Sequence, residues 1–253
     1  MTFCLGIKVA TGLVGIADTR IITGTERITA RKMWVSPDPE RPFFLMSSGL
    51  RSVRDKVVTY FEEEIAEAGD SLDRLFKVVN LYAEQVRRVD QEDRKALTAA
   101  GLRFDSQALI GGQLEGDPVH RLFLVYPEGN WVEVMEGTPY QIIGETGYGK
   151  PILDRTLDFE DDMRFAFKVG CLAFDSTRIS AADVDFPLDV VLFERDSKRL
   201  IEHRYARDEL QDVSTWWQER LRTSIDELPD QWIGEAFSKL EPHGSELPSL
   251  LGD

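Results

Sequence analysis

Within the first 205 residues, helical periodicity comes in adjacent pairs, and runs of strand-like sequence separate the pairs. Val53, Val57, Val58, Phe61 and Ile65 recur at helical spacing, and Leu72, Leu75, Val79, Tyr82 and Val86 follow in steps of three and four. Asp70 or Ser71 supplies the N-cap between the two. A second pair is read as a short helix over 150–157 and a longer one over 159–175. In the longer one Phe165, Val169, Leu172 and Ser176 lie on one stripe, while Ala166, Gly170 and Ala173 make a small-residue face. Strands are expected at 3–9 and 13–19 around Thr11-Gly12, then at 33–36 and 43–48 around Pro37-Asp38-Pro39. More follow at 105–112, 121–126 and 130–134, and again at 188–194 and 199–205, with a glycine-rich turn over Gly144–Gly149. Helices in pairs between runs of strands predict layers and an α+β class. They disfavour a doubly wound parallel sheet, whose helices alternate singly with strands.

The chain has 253 residues, and residues 1–205 are read as one domain. Residues 206–253 carry eleven acidic and four basic side chains and read as an acidic extension of one or two amphipathic helices. Gly244–Asp253 is read as its loose end, and Trp216-Trp217 as an intersubunit contact. The formal charge of −15 argues against nucleic acid, whose phosphates need clustered Lys and Arg, and against anionic membranes. Two cysteines give no disulfide framework, and His120, His203 and His243 show no metal-ligand spacing, so no cofactor or metal is expected. No apolar run is long enough for a membrane span, and the N-terminus has no signal-peptide pattern, so a cytoplasmic location is the default expectation.

Thr2 carries the chemistry. A small second residue allows Met1 to be removed, which would make Thr2 the N-terminal residue. A terminal threonine holds a nucleophile and a base within one residue: Oγ attacks a carbonyl while the α-amine accepts the proton. The free amine has a pKa of roughly 7.7–8.0 and becomes a base at neutral pH once a nearby cation depresses it. Lys32 is the candidate cation, and Asp18 the carboxylate that keeps it charged and oriented.

The segments Thr2-Phe3-Cys4-Leu5-Gly6-Ile7, Gly15-Ile16-Ala17-Asp18-Thr19-Arg20 and Arg31-Lys32-Met33 closely resemble the start of proteasome-type β subunits. The interval to Lys32 is slightly short, as a shorter loop after Arg20 would give. Phe43–Gly49 fits the strand whose end supplies an oxyanion-hole amide. Gly144-Glu145-Thr146-Gly147-Tyr148-Gly149-Lys150-Pro151 and Ser176-Thr177-Arg178-Ile179-Ser180 resemble the Anbu branch, the bacterial ancestral β subunits related to proteasome and HslV peptidases. The resemblance runs from Thr2 to about Tyr205.

It implies a four-layer αββα sandwich of the N-terminal nucleophile (Ntn) hydrolase type. It also implies peptide-bond cleavage through an acyl-ester on Thr2, and a homo-oligomer, ring or helical array, that takes peptides or unfolded protein. Thr2, Asp18, Lys32 and the Gly49 amide take the roles above. The family places a serine in the glycine-rich turn, where this chain has Glu145-Thr146; Thr146 is the matching hydroxyl. Asp175 and Ser176 match a supporting pair just after the long helix. No ATP-binding motif occurs, so any unfolding motor belongs to a separate chain. Two rival readings stand beside the peptidase: a scaffold with a weak or vestigial Thr2 site, motivated by Glu145, and an amidase acting on a small metabolite.

Overall fold

Every residue of β1 (Phe3–Val9) and β2 (Gly12–Asp18) is buried, so this hairpin is covered on both faces. The computed structural model, which describes residues 2–23 and 26–239, shows what covers it. Met1 and the expected loose end at Gly244–Asp253 lie outside the described residues. In chain order there follow β3 (Arg20–Thr23), β4 (Glu26–Thr29), β5 (Met33–Val35) and β6 (Phe43–Gly49). Next come α1 (Arg51–Ala68), α2 (Leu75–Ala99), β7 (Ser106–Gly112), β8 (Arg121–Val125), β9 (Trp131–Glu133) and β10 (Tyr140–Gly144). The chain continues through α3 (Lys150–Thr156), α4 (Met163–Ser180), β11 (Leu188–Glu194), β12 (Arg199–Tyr205), α5 (Gln211–Asp226) and α6 (Gly234–Ser238). One five-stranded sheet has the order β10-β1-β2-β11-β12 and the other β5-β6-β7-β8-β9, with antiparallel neighbours throughout. The class is α+β.

Strand alternation decides what each face meets. Phe3, Leu5, Ile7 and Val9 point into one cluster with Ala166, Val169, Ala173 and Phe174 of α4. Cys4, Leu13 and Ala17 point the other way and pack with Phe44, Met46, Leu109 and Leu122 of the second sheet. On its opposite face, Phe43, Leu45, Ile110 and Phe123 join Val57, Phe61, Val79, Tyr82 and Val86 of α1 and α2. Burying a side chain of this size is worth about 1.5–3 kcal/mol, so these clusters account for most of the drive to fold.

Three local readings are corrected. First, the segment after Arg20, expected as a loop, holds two antiparallel paired strands, β3 and β4. Second, α4 runs over Met163–Ser180, capped by the Asp162 carboxylate, which accepts from the Phe165 amide at 2.8 Å. Its small-residue face turns inward and Phe165 is exposed. At Gly170 a Cβ would lie 2.6 Å from Ile16 Cδ1, which is why that face must be small. Third, α2 takes its cap from afar: Asp117 Oδ2 accepts from the Leu75 amide at 2.8 Å and from the Leu114 amide at 3.1 Å. Replacing Asp117 with alanine should therefore leave buried donors unpaired, at a cost of about 2 kcal/mol. In urea denaturation the midpoint should fall with an unchanged slope; an unmoved midpoint would contradict this cap.

The chain divides into two compact units, one ending at Gln211 and the other beginning at Asp212. In the second unit the Trp216 and Trp217 rings stack with centroids 6.5 Å apart. No helix among the described residues is long and apolar enough to cross a membrane.

Candidate active site

Thr2 stands at the mouth of β1, and its backbone is fixed from two sides. The Glu145 amide donates to the Thr2 carbonyl at 2.7 Å, and the next residue, Phe3, donates its amide to Asp18 Oδ1 at 2.8 Å. Close approach of β10 makes the first contact possible. Gly144 has φ +88°, and a Cβ there would sit 2.0 Å from the Thr2 carbonyl oxygen.

Asp18 ends β2 and is fully buried. Its Oδ1 also accepts from the Lys32 ammonium at 2.7 Å, and its Oδ2 accepts from the Arg20 amide at 3.1 Å. Burial raises the Asp18 carboxyl above its ordinary range, and the Lys32 charge and the two amides pull against that rise. Lys32, equally buried, also donates to the Arg20 carbonyl at 2.7 Å, and its own carbonyl accepts from Ser47 at 3.0 Å. One carboxylate thus ties the residue after Thr2 to a buried ammonium. Cys4 offers no rival nucleophile, because burial pushes its thiol up to about 12.

A cleft of about 590 Å³ opens on Thr2, Ser48, Gly49, Leu50 and Gly144. Gly49 ends β6 with φ +113°, and a Cβ there would fall 1.8 Å from the Asp105 carbonyl oxygen. No other residue type fits this backbone path, which brings the end of β6 beside Thr2.

The structure thus brings Thr2, Asp18, Lys32 and Gly49 together. Thr146, Asp175 and Ser176 do not line the cleft. Thr146 is exposed on the turn before α3, and Glu145 turns its carboxylate to the Gly147 amide at 3.2 Å. Asp175 and Ser176 lie inside α4 rather than after it, because the helix runs on to Ser180. Asp175 accepts from Arg178 at 2.6 Å. That stretch of α4 abuts the turn that holds Thr2, since a Cβ at Gly149 would lie 3.0 Å from the Ala173 carbonyl oxygen.

The cleft also includes Arg51, Arg54, Arg103, Asp105 and Gln107, none of which the sequence reading singled out. Arg51 and Arg54 could have been found from their position just past Gly49. Arg103 could not, because it arrives from the far end of α2.

No family model matches the chain, and no curated protein sequence does. Among solved structures, the Gly-1 mutant of Anbu from Hyphomicrobium sp. strain MC1 is 31% identical, with a TM-score of 0.81 over 90% of this chain and 98% of that one. Anbu (ancestral beta-subunit) from Yersinia bercovieri is 29% identical, with a TM-score of 0.82 over 90% of this chain and 98% of that one. Anbu from Pseudomonas aeruginosa, solved as a helical assembly, is 28% identical, with a TM-score of 0.84 over 90% of this chain and 97% of that one.

Proposed function

Because this chain belongs to the Anbu family of ancestral β subunits, we propose that it is an N-terminal threonine peptidase that uses Thr2 as nucleophile once Met1 is removed. One observation carries the reading: Asp18 holds both the Phe3 amide and the Lys32 ammonium, directly behind a threonine that opens on a cleft with Gly49.

In this mechanism the Thr2 α-amine takes the hydroxyl proton as Oγ attacks the substrate carbonyl. The buried Lys32 charge disfavours a second positive charge nearby and keeps that amine neutral. The Gly49 amide meets the oxyanion, a role that no side-chain replacement could supply. The leaving amine takes the proton from the Thr2 amine, and water then cleaves the acyl-ester. Thr146, Asp175 and Ser176 lie outside the cleft and take no part in these steps.

The same reading makes the three clusters of the fold those of a four-layer αββα sandwich. It makes residues 1–205 the catalytic domain, acting in the cytoplasm, and 206–253 its extension. Copies of the chain self-associate, as in the helical assembly of the Pseudomonas aeruginosa relative. Substrates are peptides or unfolded chains.

A peptide epoxyketone tests the proposal, since its adduct needs both the hydroxyl and the free amine of a terminal threonine. Intact mass should show loss of Met1 and one adduct, mapped to Thr2 and missing in Thr2→Ala. Fluorogenic peptides should be cut by the wild type, with a rate at least about 10³-fold lower in Thr2→Ala. Retained Met1, no adduct, or equal rates in the two proteins would reject catalysis by Thr2.

A further inference from the structure

Three guanidiniums line one cleft in a chain with 45 acidic and 30 basic side chains. Composition alone does not produce such a cluster. Arg51 and Arg54 come from the first turn of α1, immediately after Gly49. Arg103 comes from the segment that leads into β7, whose first residue, Ser106, pairs with Gly49. The β6–β7 register therefore delivers all three to the same side of Thr2.

Their charges are not cancelled locally. Arg51 donates to Asp55 at 3.1 Å, and Arg54 donates to the same carboxylate at 3.1 and 2.8 Å. Two guanidiniums thus share one acid. Arg103 makes no hydrogen bond or ion pair among the described residues, and Asp105 is the acidic member of the lining. Arginine in the first turn of a helix also works against the helix dipole, and that turn of α1 holds no acidic residue to offset it. Ile21 and Leu50 are the aliphatic side chains of the lining.

We propose that this cleft is the subsite for an acidic side chain, and that the preferred substrates carry Glu or Asp immediately before the scissile bond. This rests on the Thr2 reading: Arg51, Arg54 and Arg103 line the same cleft as Thr2 and Gly49, so a substrate side chain entering that cleft from a carbonyl held at Thr2 Oγ meets them. Arg103 is the specificity-determining contact, because its guanidinium has no partner among the described residues. Arg51 and Arg54 supply the surrounding positive field.

The test separates recognition from turnover. Fluorescein-labelled tripeptide amides ending in Glu, Gln, Leu or Lys are titrated against the full-length Thr2→Ala protein by anisotropy. The Glu peptide should bind about tenfold more tightly than the Gln peptide and the Lys peptide most weakly. Arg103→Ala should bring Glu down to the Gln level, and Arg103→Glu should reverse the order of Glu and Lys. The matching fluorogenic substrates should show the same ranking in kcat/KM for the wild type. A ranked binding series without any wild-type cleavage would sink the peptidase reading and leave the acidic subsite standing. Equal binding of Glu and Gln, a Glu preference that survives Arg103→Ala, or no binding of any peptide up to millimolar concentration would overturn the subsite.

Discussion

Replacing Lys32 with methionine should lower kcat/KM about 10²–10³-fold by leaving the Thr2 amine protonated at neutral pH. It should also destabilise the fold by about 3–5 kcal/mol, because Asp18 would be left buried without its counter-charge. For a chain of this size that is a fall in Tm of roughly 6–20 °C. Turnover and stability can be separated by a second variant. In Asp18→Asn combined with Lys32→Met no unpaired charge remains inside, and the asparagine oxygen can still accept from the Phe3 amide that now bonds Asp18 Oδ1 at 2.8 Å. Most of the lost stability should return in that double variant, while turnover stays as low as in the single one. Calorimetry and peptide kinetics on the three proteins decide the matter. Unchanged turnover in Lys32→Met would remove Lys32 from the chemistry. A double variant less stable than the single would show that the pair is not held as a buried ion pair.

The pair could be read from sequence because Thr2, Asp18 and Lys32 all fall within the first 32 residues: Thr2 precedes β1, Asp18 ends β2 and Lys32 precedes β5. What escaped the reading is non-local. No strand is expected at Tyr140–Gly144 from sequence, and it is a strand because β1 pairs with it across most of the chain, Phe3 opposite Gly144. The cap of α2 was sought at Asp70 or Ser71 and comes instead from Asp117. In α4, periodicity offers two faces, and the small-residue one permits close packing. Sheet proximity chose the Ala166-Gly170-Ala173 face, since only small residues let the helix approach Ile16. The same limit hid Arg103: its place in the cleft depends on where α2 ends, and on a β6–β7 register that no local pattern encodes.

Gly144→Ala should damage both stability and labelling of Thr2, although it adds a single methyl group. At φ +88° an L side chain is strained by about 1–3 kcal/mol. The added Cβ would meet the Thr2 carbonyl oxygen at 2.0 Å and Thr2 Cβ at 3.2 Å, so the first strand must move away. That movement breaks the 2.7 Å bond from the Glu145 amide and displaces the nucleophile itself. A misplacement of about 1 Å at a reacting group is worth about 10²-fold in rate. The expected result is therefore a loss of about 2–4 kcal/mol in stability together with at least a hundredfold loss of epoxyketone labelling at Thr2. Gly137→Ala is the control, because a Cβ there meets nothing within 4 Å. It should leave both readouts close to wild type. If the two alanine variants melted and labelled alike, the tight contact between β10 and Thr2 would not be what positions the nucleophile. If Gly144→Ala lost stability but labelled normally, Thr2 would be held by the Phe3–Asp18 bond alone.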